Sequence, residues 1–179
     1  MKKVMVGLII GFVLGIIIIP LIALAGIRLG YAPVATASPP LPLEKWLAHT
    51  ALKATVAREA PRQCPIQAGE TNLLAGAKIY REYCAMCHGT VGQGKTPLAK
   101  GMYPPPPQLF LGTGVTDDPV GHTYWKAANG IRLTGMPAFG PSLSQTQLWQ
   151  VSQLLANAHH LSAAVTNVLT SAVAARQLR

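Results

Sequence analysis

Cys84-Ala85-Met86-Cys87-His88 is the stretch on which the reading of this chain turns. Two cysteines three positions apart share one helical turn, and a histidine follows the second directly. C-x-x-C-H is the attachment signature of a c-type haem. Each thiol can bond a vinyl-derived carbon of one macrocycle, and the next residue presents an imidazole to the iron. Two rival readings use the same cysteines. A redox disulfide motif is expected beside a βαβ pattern, and a tetrahedral zinc site needs further ligands. Only Cys64 and His122 could be recruited for zinc, with no supporting spacing.

Working outward, Thr71 opens an apolar-periodic stretch through Tyr83 that reads as a short helix entering the motif. Val91 to Thr116 reads as loop, because Gly92, Gly94, Pro97, Gly101, Pro104 to Pro107, Gly112 and Gly114 break helices and strands. So many breakers need something else to fold around. Thr123 to Ala128 is expected to form a short helix closed by Asn129-Gly130. Ser144 is expected to cap a longer helix through Ala158, with Leu148, Val151, Leu154 and Leu155 on its buried side. Leu161 to Arg179 alternates small apolar and polar residues and reads as a tail with a weak helical pattern. No internal repeat is evident and no strand signal exceeds a few residues, so the fold class is all-α.

From Thr71 to Ala158 the chain resembles class I c-type cytochromes. The residues that carry the resemblance are Gly76, Tyr80 and Cys84, a glycine and an aromatic preceding the first cysteine at four-residue steps, together with Trp149 on the last helix. A second aromatic, usual five residues further on, is Leu154 here. The resemblance implies a small helical domain around one haem c, held covalently through Cys84 and Cys87, in which Gly76 permits a close crossing of the first and last helices.

Read from the residues, the sixth iron ligand is open among Met86, Met102, Met136 and the remaining histidines; Met86 lies inside the motif and cannot reach the opposite haem face. Thr134-Gly135-Met136-Pro137-Ala138-Phe139 resembles the family's axial-methionine loop. The resemblance therefore implies His88 and Met136 as the metal ligands, with Gly135 freeing the backbone and Pro137 stiffening the exit. Met102 is the alternative methionine, and His122 would give a bis-histidine haem. Pro107-Gln108-Leu109 is similar to the family's Pro-x-Leu element, whose proline carbonyl accepts the proximal imidazole N–H. Tyr124, Trp125 and Arg132 resemble its propionate-facing wall, where Trp and Arg donate to carboxylates. The plainer reading of the Pro104 to Pro107 run is a rigid surface turn, and of the wall, packing and solvation.

Apolar content is concentrated at the front. Val4 to Ile27 contains no charged residue, and Lys2 and Lys3 precede it. As a helix the run would span about 36 Å at about 1.5 Å per residue, enough for a hydrocarbon core of roughly 30 Å. The rival is a cleaved signal peptide, with Ala23-Leu24-Ala25 or Ala35-Thr36-Ala37 as small-residue sites, against which the run is too long for a signal core. Two lysines before the span and Arg28 after it put the N-terminus in the cytoplasm and the remainder outside. Gly7, Gly11 and Gly15 share one helix face and could admit a transmembrane partner helix, although glycine is frequent in membrane helices anyway. Pro20 would kink the last turns or end the regular helix.

The organisation that follows is a cytoplasmic N-terminus at 1–3, an anchor at 4–27, a Pro/Ala-rich stalk at 28–42, a helix at 43–60 stopped by Pro61, a linker at 61–70, the cytochrome c domain at 71–160 and the tail at 161–179. In the 43–60 helix, Leu43, Trp46, Leu47, Thr50 and Ala54 fall on one face, which is expected to pack on the globular part or lie at the membrane surface.

The formal net charge of +9, from 15 Lys and Arg against 6 Asp and Glu, is diffuse. It suits a solvated surface and would steer the protein toward acidic redox partners or anionic headgroups. Nucleic acid is excluded as a partner by export and by the lack of a basic helix or aromatic-basic motif. Three cysteines are an odd number, so no framework of paired disulfides is described. Cys64 is left as a buried or free thiol or a link to another subunit. The expectation is a non-enzymatic, membrane-tethered electron carrier on the periplasmic side of a bacterial inner membrane. The alternative is a haem-bearing subunit of a larger membrane oxidoreductase. A haem enzyme or gas sensor would need an acid/base group near an exchangeable ligand, for which only His122 can be nominated.

Overall fold

A computed structural model describes residues 2–112 and 117–171. The end of the glycine-rich loop, with Gly114, and the tail beyond Ser171 lie outside the described residues. The chain divides into two compact units, Met1–Leu41 and Pro42–Arg179.

In the first unit, α1 (Lys2–Arg28) runs without interruption past Pro20. Its side chains Val4 to Ile27 are outward-facing and apolar, with a mean hydropathy of 3.0 over the most apolar window. Length and composition suffice for a membrane span. A Cβ at Gly7, Gly11 or Gly15 would meet nothing within 4 Å, so that face is open.

The second unit contains α2 (Glu44–Glu59), α3 (Glu70–Tyr83), α4 (Ala85–His88), α5 (Pro97–Lys100), α6 (Val120–Asn129), α7 (Gln145–Ala156) and α8 (Ala163–Thr170). No strand occurs among the described residues, and the fold is all-α. The core lies where α3 crosses α7. Leu73, Ala77 and Tyr80 of α3 meet Leu148, Val151, Leu154 and Leu155 of α7. At the crossing point Gly76 is in contact so close that a Cβ there would collide with the carbonyl of Gln150. This is a requirement for space, since no positive φ is involved. The helix α7 begins with a reciprocal cap: Ser144 Oγ accepts from Gln147 N at 3.3 Å, and Ser144 N donates to Gln147 Oε1 at 2.9 Å.

Several sequence expectations shift. The helix α6 begins at Val120, three residues before Thr123, because Gly121 lets its first turn sit directly on the Pro61 carbonyl. It stops where expected: Gly130, at φ 66, donates its N–H to Lys126 O at 2.9 Å. Inside the glycine-rich loop, Thr96 caps the single turn α5, accepting from Ala99 N at 3.0 Å with Pro97 in the first helical position.

The face expected to pack in α2 does not do so within its unit. Leu43, Trp46 and Leu47 are 67%, 63% and 55% exposed, while Val56 is buried. The helix α2 contacts α6, and just past its end Pro61 lies against Gly121.

The region expected to be a weak tail contains α8, which packs on α3 with Val165 and Leu169 fully buried. Ser162 caps it, accepting from Val165 N at 3.3 Å and donating to Glu70 Oε1 at 2.7 Å. Arg81 donates to Ser171 Oγ at 2.8 Å at the other end. The core therefore extends past residue 160, because Val165 and Leu169, one helical turn apart, are both buried where α8 meets α3.

Two stability predictions follow from these contacts. Gly76→Ala should lower unfolding stability by about 2–3 kcal/mol, read from denaturant midpoints, whereas Gly94→Ala, with nothing within 4 Å, should stay within about 0.5 kcal/mol. Leu169→Ala should cost about 2–3 kcal/mol; a neutral result would mean that α8 is not part of the core.

Candidate haem-binding site

The motif turn is a direct continuation of α3. Cys84 N donates to Tyr80 O at 2.8 Å, and His88 N and Cys87 N both return to Cys84 O, at 2.9 and 3.1 Å. Cys84 and Cys87 are therefore on one turn, both half-buried and both free of disulfide. The exit of the turn is fixed by a side chain from α3. The Tyr80 hydroxyl donates to Gly89 O at 2.7 Å, in a buried bond. Gly89 takes φ 72, which its neighbours could not adopt without strain. Phe110 sits edge-on against the Tyr80 ring at 5.0 Å.

His88 Nδ1 lies 2.7 Å from the carbonyl of Pro107. A carbonyl only accepts, so Nδ1 carries the proton and Nε2 keeps its lone pair. Burial pushes the His88 pKa down, an effect the Pro107 bond partly offsets. Leu109, two residues on from Pro107, packs half-buried against the core. Gln108 Nε2 donates to Gln93 O at 3.3 Å, tying the proline segment to the loop that leaves the motif.

The methionine loop is folded back on the end of α6. Ile131 N donates to Met136 O at 3.1 Å, Phe139 N to Ala127 O at 3.0 Å and Gly140 N to Ala128 O at 3.0 Å. Thr134 ties its centre: its hydroxyl donates to Ile131 O at 2.7 Å and accepts from Met136 N at 3.1 Å. Gly130 faces the backbone of Met136 to Ala138 so closely that no Cβ fits. Leu133 takes a left-handed φ of 60 at the loop's tip.

The remaining candidates are dispersed. Tyr124 stacks on Trp149 with ring centroids 4.1 Å apart, joining α6 to α7. Trp125 is half-buried on α6, and Glu59 near it is paired with Arg58, which holds its carboxylate below the usual range. Arg132 is exposed at the start of the methionine loop, and Met86 is exposed on the motif turn. His122 is in the first turn of α6 and donates its backbone N–H to Pro119 O at 2.8 Å. Met102 follows α5 and lies against Gly135. Cys64 is half-buried; its Sγ donates to Ile66 O at 3.2 Å and accepts from Gln153 Nε2 at 3.1 Å, which fastens the linker to α7. Sequence reasoning did not find the roles of the Tyr80 hydroxyl, Gly89 or the Thr134 hydroxyl, and it read Gly130 only as a helix stop. Of these only Thr134 left a local trace, a hydroxyl residue two before the methionine.

The donor set fits a covalently held haem and fits its rivals poorly. Burial, with the charge of Cys87, pushes the Cys84 thiol up to about 12, the reverse of a reactive redox pair. No group of three or more His, Cys, Asp or Glu gathers as a metal cage among the described residues. A neutral imidazole with its Nδ1–H committed and Nε2 free suits iron ligation.

Residues 71–155 form a class I c-type cytochrome domain, the module of haem-based electron transfer. They match the family described as "Cytochrome C oxidase, cbb3-type, subunit III". Quinohemoprotein alcohol dehydrogenase ADH-IIG of Pseudomonas putida is 29% identical over 106 residues, covering 58% of this chain but only 13% of that protein. A chain of the Kuenenia stuttgartiensis reducing HAO-like protein complex Kustc0457/Kustc0458 is 26% identical, with a TM-score of 0.48 over 55% of this chain and 48% of that one.

Tyr80→Phe, which leaves the Gly89 carbonyl buried without its donor, should cost about 1–3 kcal/mol in chemical unfolding while leaving the helical circular dichroism unchanged.

Proposed function

We propose that this chain is a membrane-tethered, one-haem electron carrier of the periplasmic side, with haem c bonded through Cys84 and Cys87 and with His88 and Met136 as axial ligands. The observation that carries it is the His88–Pro107 contact within a C-x-x-C-H turn. It leaves one nitrogen for a metal and fixes the ring that holds it. When bound, haem supplies a one-electron couple, and His/Met ligation raises its potential relative to anionic ligands. The chain's own residues hold and shield. Tyr80 and Gly89 keep the thiols on one turn, Pro107 orients the imidazole, and Thr134 and Gly130 hold the methionine loop in its fold. With both axial positions filled by protein, the natural activity is outer-sphere transfer to redox partners, which the positive charge would steer if they are acidic.

The helix α1 supports the tether, and Lys2, Lys3 and Arg28 support an orientation with the haem domain outside the bacterial inner membrane. A second reading, a haem-bearing subunit of a membrane oxidoreductase, is favoured by the family match and by the open Gly7, Gly11, Gly15 face. Gentle detergent extraction separates the two. A tethered shuttle leaves the membrane alone, and a subunit leaves it with stoichiometric partners.

The oxidised full-length protein should show the methionine–iron charge-transfer band and lose it in Met136→Ala, with haem still covalently attached. Rapid, tight carbon monoxide binding by the reduced wild type would overturn the closed-iron reading.

A further inference from the structure

We propose that Met102 is a positioning residue, clamping the Met136 loop to the segment that supports His88. This rests on the His88/Met136 ligation proposed above. One jaw of the clamp is Gly135. Its backbone needs no positive φ, so glycine is not there for conformational freedom. What it provides is room: the methyl carbon of Met102 occupies the place of the missing Cβ, and the Met102 sulfur lies 3.6 Å from that place. Met136 is the next residue along the loop.

The other end of the clamp is fixed by the short turn before it. Thr96 caps α5, Ala99 is fully buried, and Met102 N returns to Ala99 O at 3.4 Å. The turn α5 packs on α4, the turn that bears Cys87 and His88. Five residues beyond Met102 stands Pro107, whose carbonyl meets His88. One thioether thus connects the segment flanked by the two supports of His88 to the residue preceding Met136. Among the described residues the hydrogen bonds of Ile131 to Met136 stay within the loop, and beyond Met136 the Phe139 ring packs edge-on against Tyr83, with centroids 6.0 Å apart. Without Met102, the residue before Met136 loses its contact with the α5 segment, and the Phe139–Tyr83 contact beyond the methionine is what remains. Methionine suits the task because an unbranched, polarizable side chain fills an irregular gap against bare backbone.

A loose loop exposes the iron to competing ligands. The apparent affinity for an added ligand scales with the fraction of molecules whose loop is open. The test is a titration of the oxidised, haem-loaded full chain with imidazole, followed by absorption, alongside the methionine–iron band. Met102→Ala should bind imidazole about ten-fold more tightly than wild type, and its band should bleach at lower imidazole. Met102→Leu, which keeps most of the contact, should stay within about two-fold. Equal imidazole affinity in Met102→Ala and wild type overturns the clamp.

If Met102→Ala does not take up haem, Gly135→Ala decides, since it displaces the Met102 methyl with methionine still present. It should raise imidazole affinity several-fold, and no change overturns the clamp. The failure of the ligand assignment has a different signature. A band lost in Met102→Ala yet retained in Met136→Ala makes Met102 itself the ligand and sinks both proposals. A band lost in Met136→Ala with unchanged imidazole binding in Met102→Ala sinks the clamp alone.

Discussion

The close crossing of α3 and α7 at Gly76 is the constraint from which the rest of the haem domain takes its position. With a hydrogen in place of a side chain, the α3 backbone rests against the Gln150 carbonyl of α7. That proximity brings Leu73, Ala77 and Tyr80 into one layer with Leu148, Val151 and Leu154. The depth and rotation of α3 then determine where its C-terminus emerges. Because the motif turn continues from that terminus without a spacer, the two thiols and the imidazole inherit their placement from a contact two to three helical turns away. Tyr80 makes the coupling explicit, with its ring in the core and its hydroxyl on the carbonyl of Gly89 just past the histidine. The stack of Tyr124 on Trp149 does the same for α6, whose end carries the methionine loop.

Around that frame the loops are held by carbonyls and hydroxyls rather than by regular structure. The Pro107 carbonyl meets His88, Thr134 bridges Ile131 and Met136, and the amides of Phe139 and Gly140 return to the last turn of α6. Each of these groups would otherwise need water. Using them to tie irregular segments satisfies the backbone and fixes the segment in the same step. This is how a stretch dense in glycine and proline acquires a defined path without helix or strand.

The unit also reaches beyond the residues that match the cytochrome family. On one side, α2 contacts α6, and Pro61 rests on Gly121. On the other, α8 closes over α3 with two fully buried side chains and a polar contact at each end.

What the sequence by itself determined is local and chemical. Cys84, Cys87 and His88 are read from spacing alone, because three residues on one turn fix their own geometry. The α3 and α7 helices, the Ser144 cap, the Gly130 stop and the apolar α1 follow from periodicity and from residues whose backbone preferences act within four positions. The tertiary structure decided everything that depends on which surfaces meet. It placed the outward-facing Leu43, Trp46 and Leu47 away from the core and buried Val56 instead. It drew α8 into the domain, extended α6 back to Val120, and brought Met102 against Gly135. The last two turn on contacts at Gly121 and Gly135, where a missing side chain is the signal. An absent atom has no hydrophobicity or period to read, and its meaning appears only when the partner that fills the space is known.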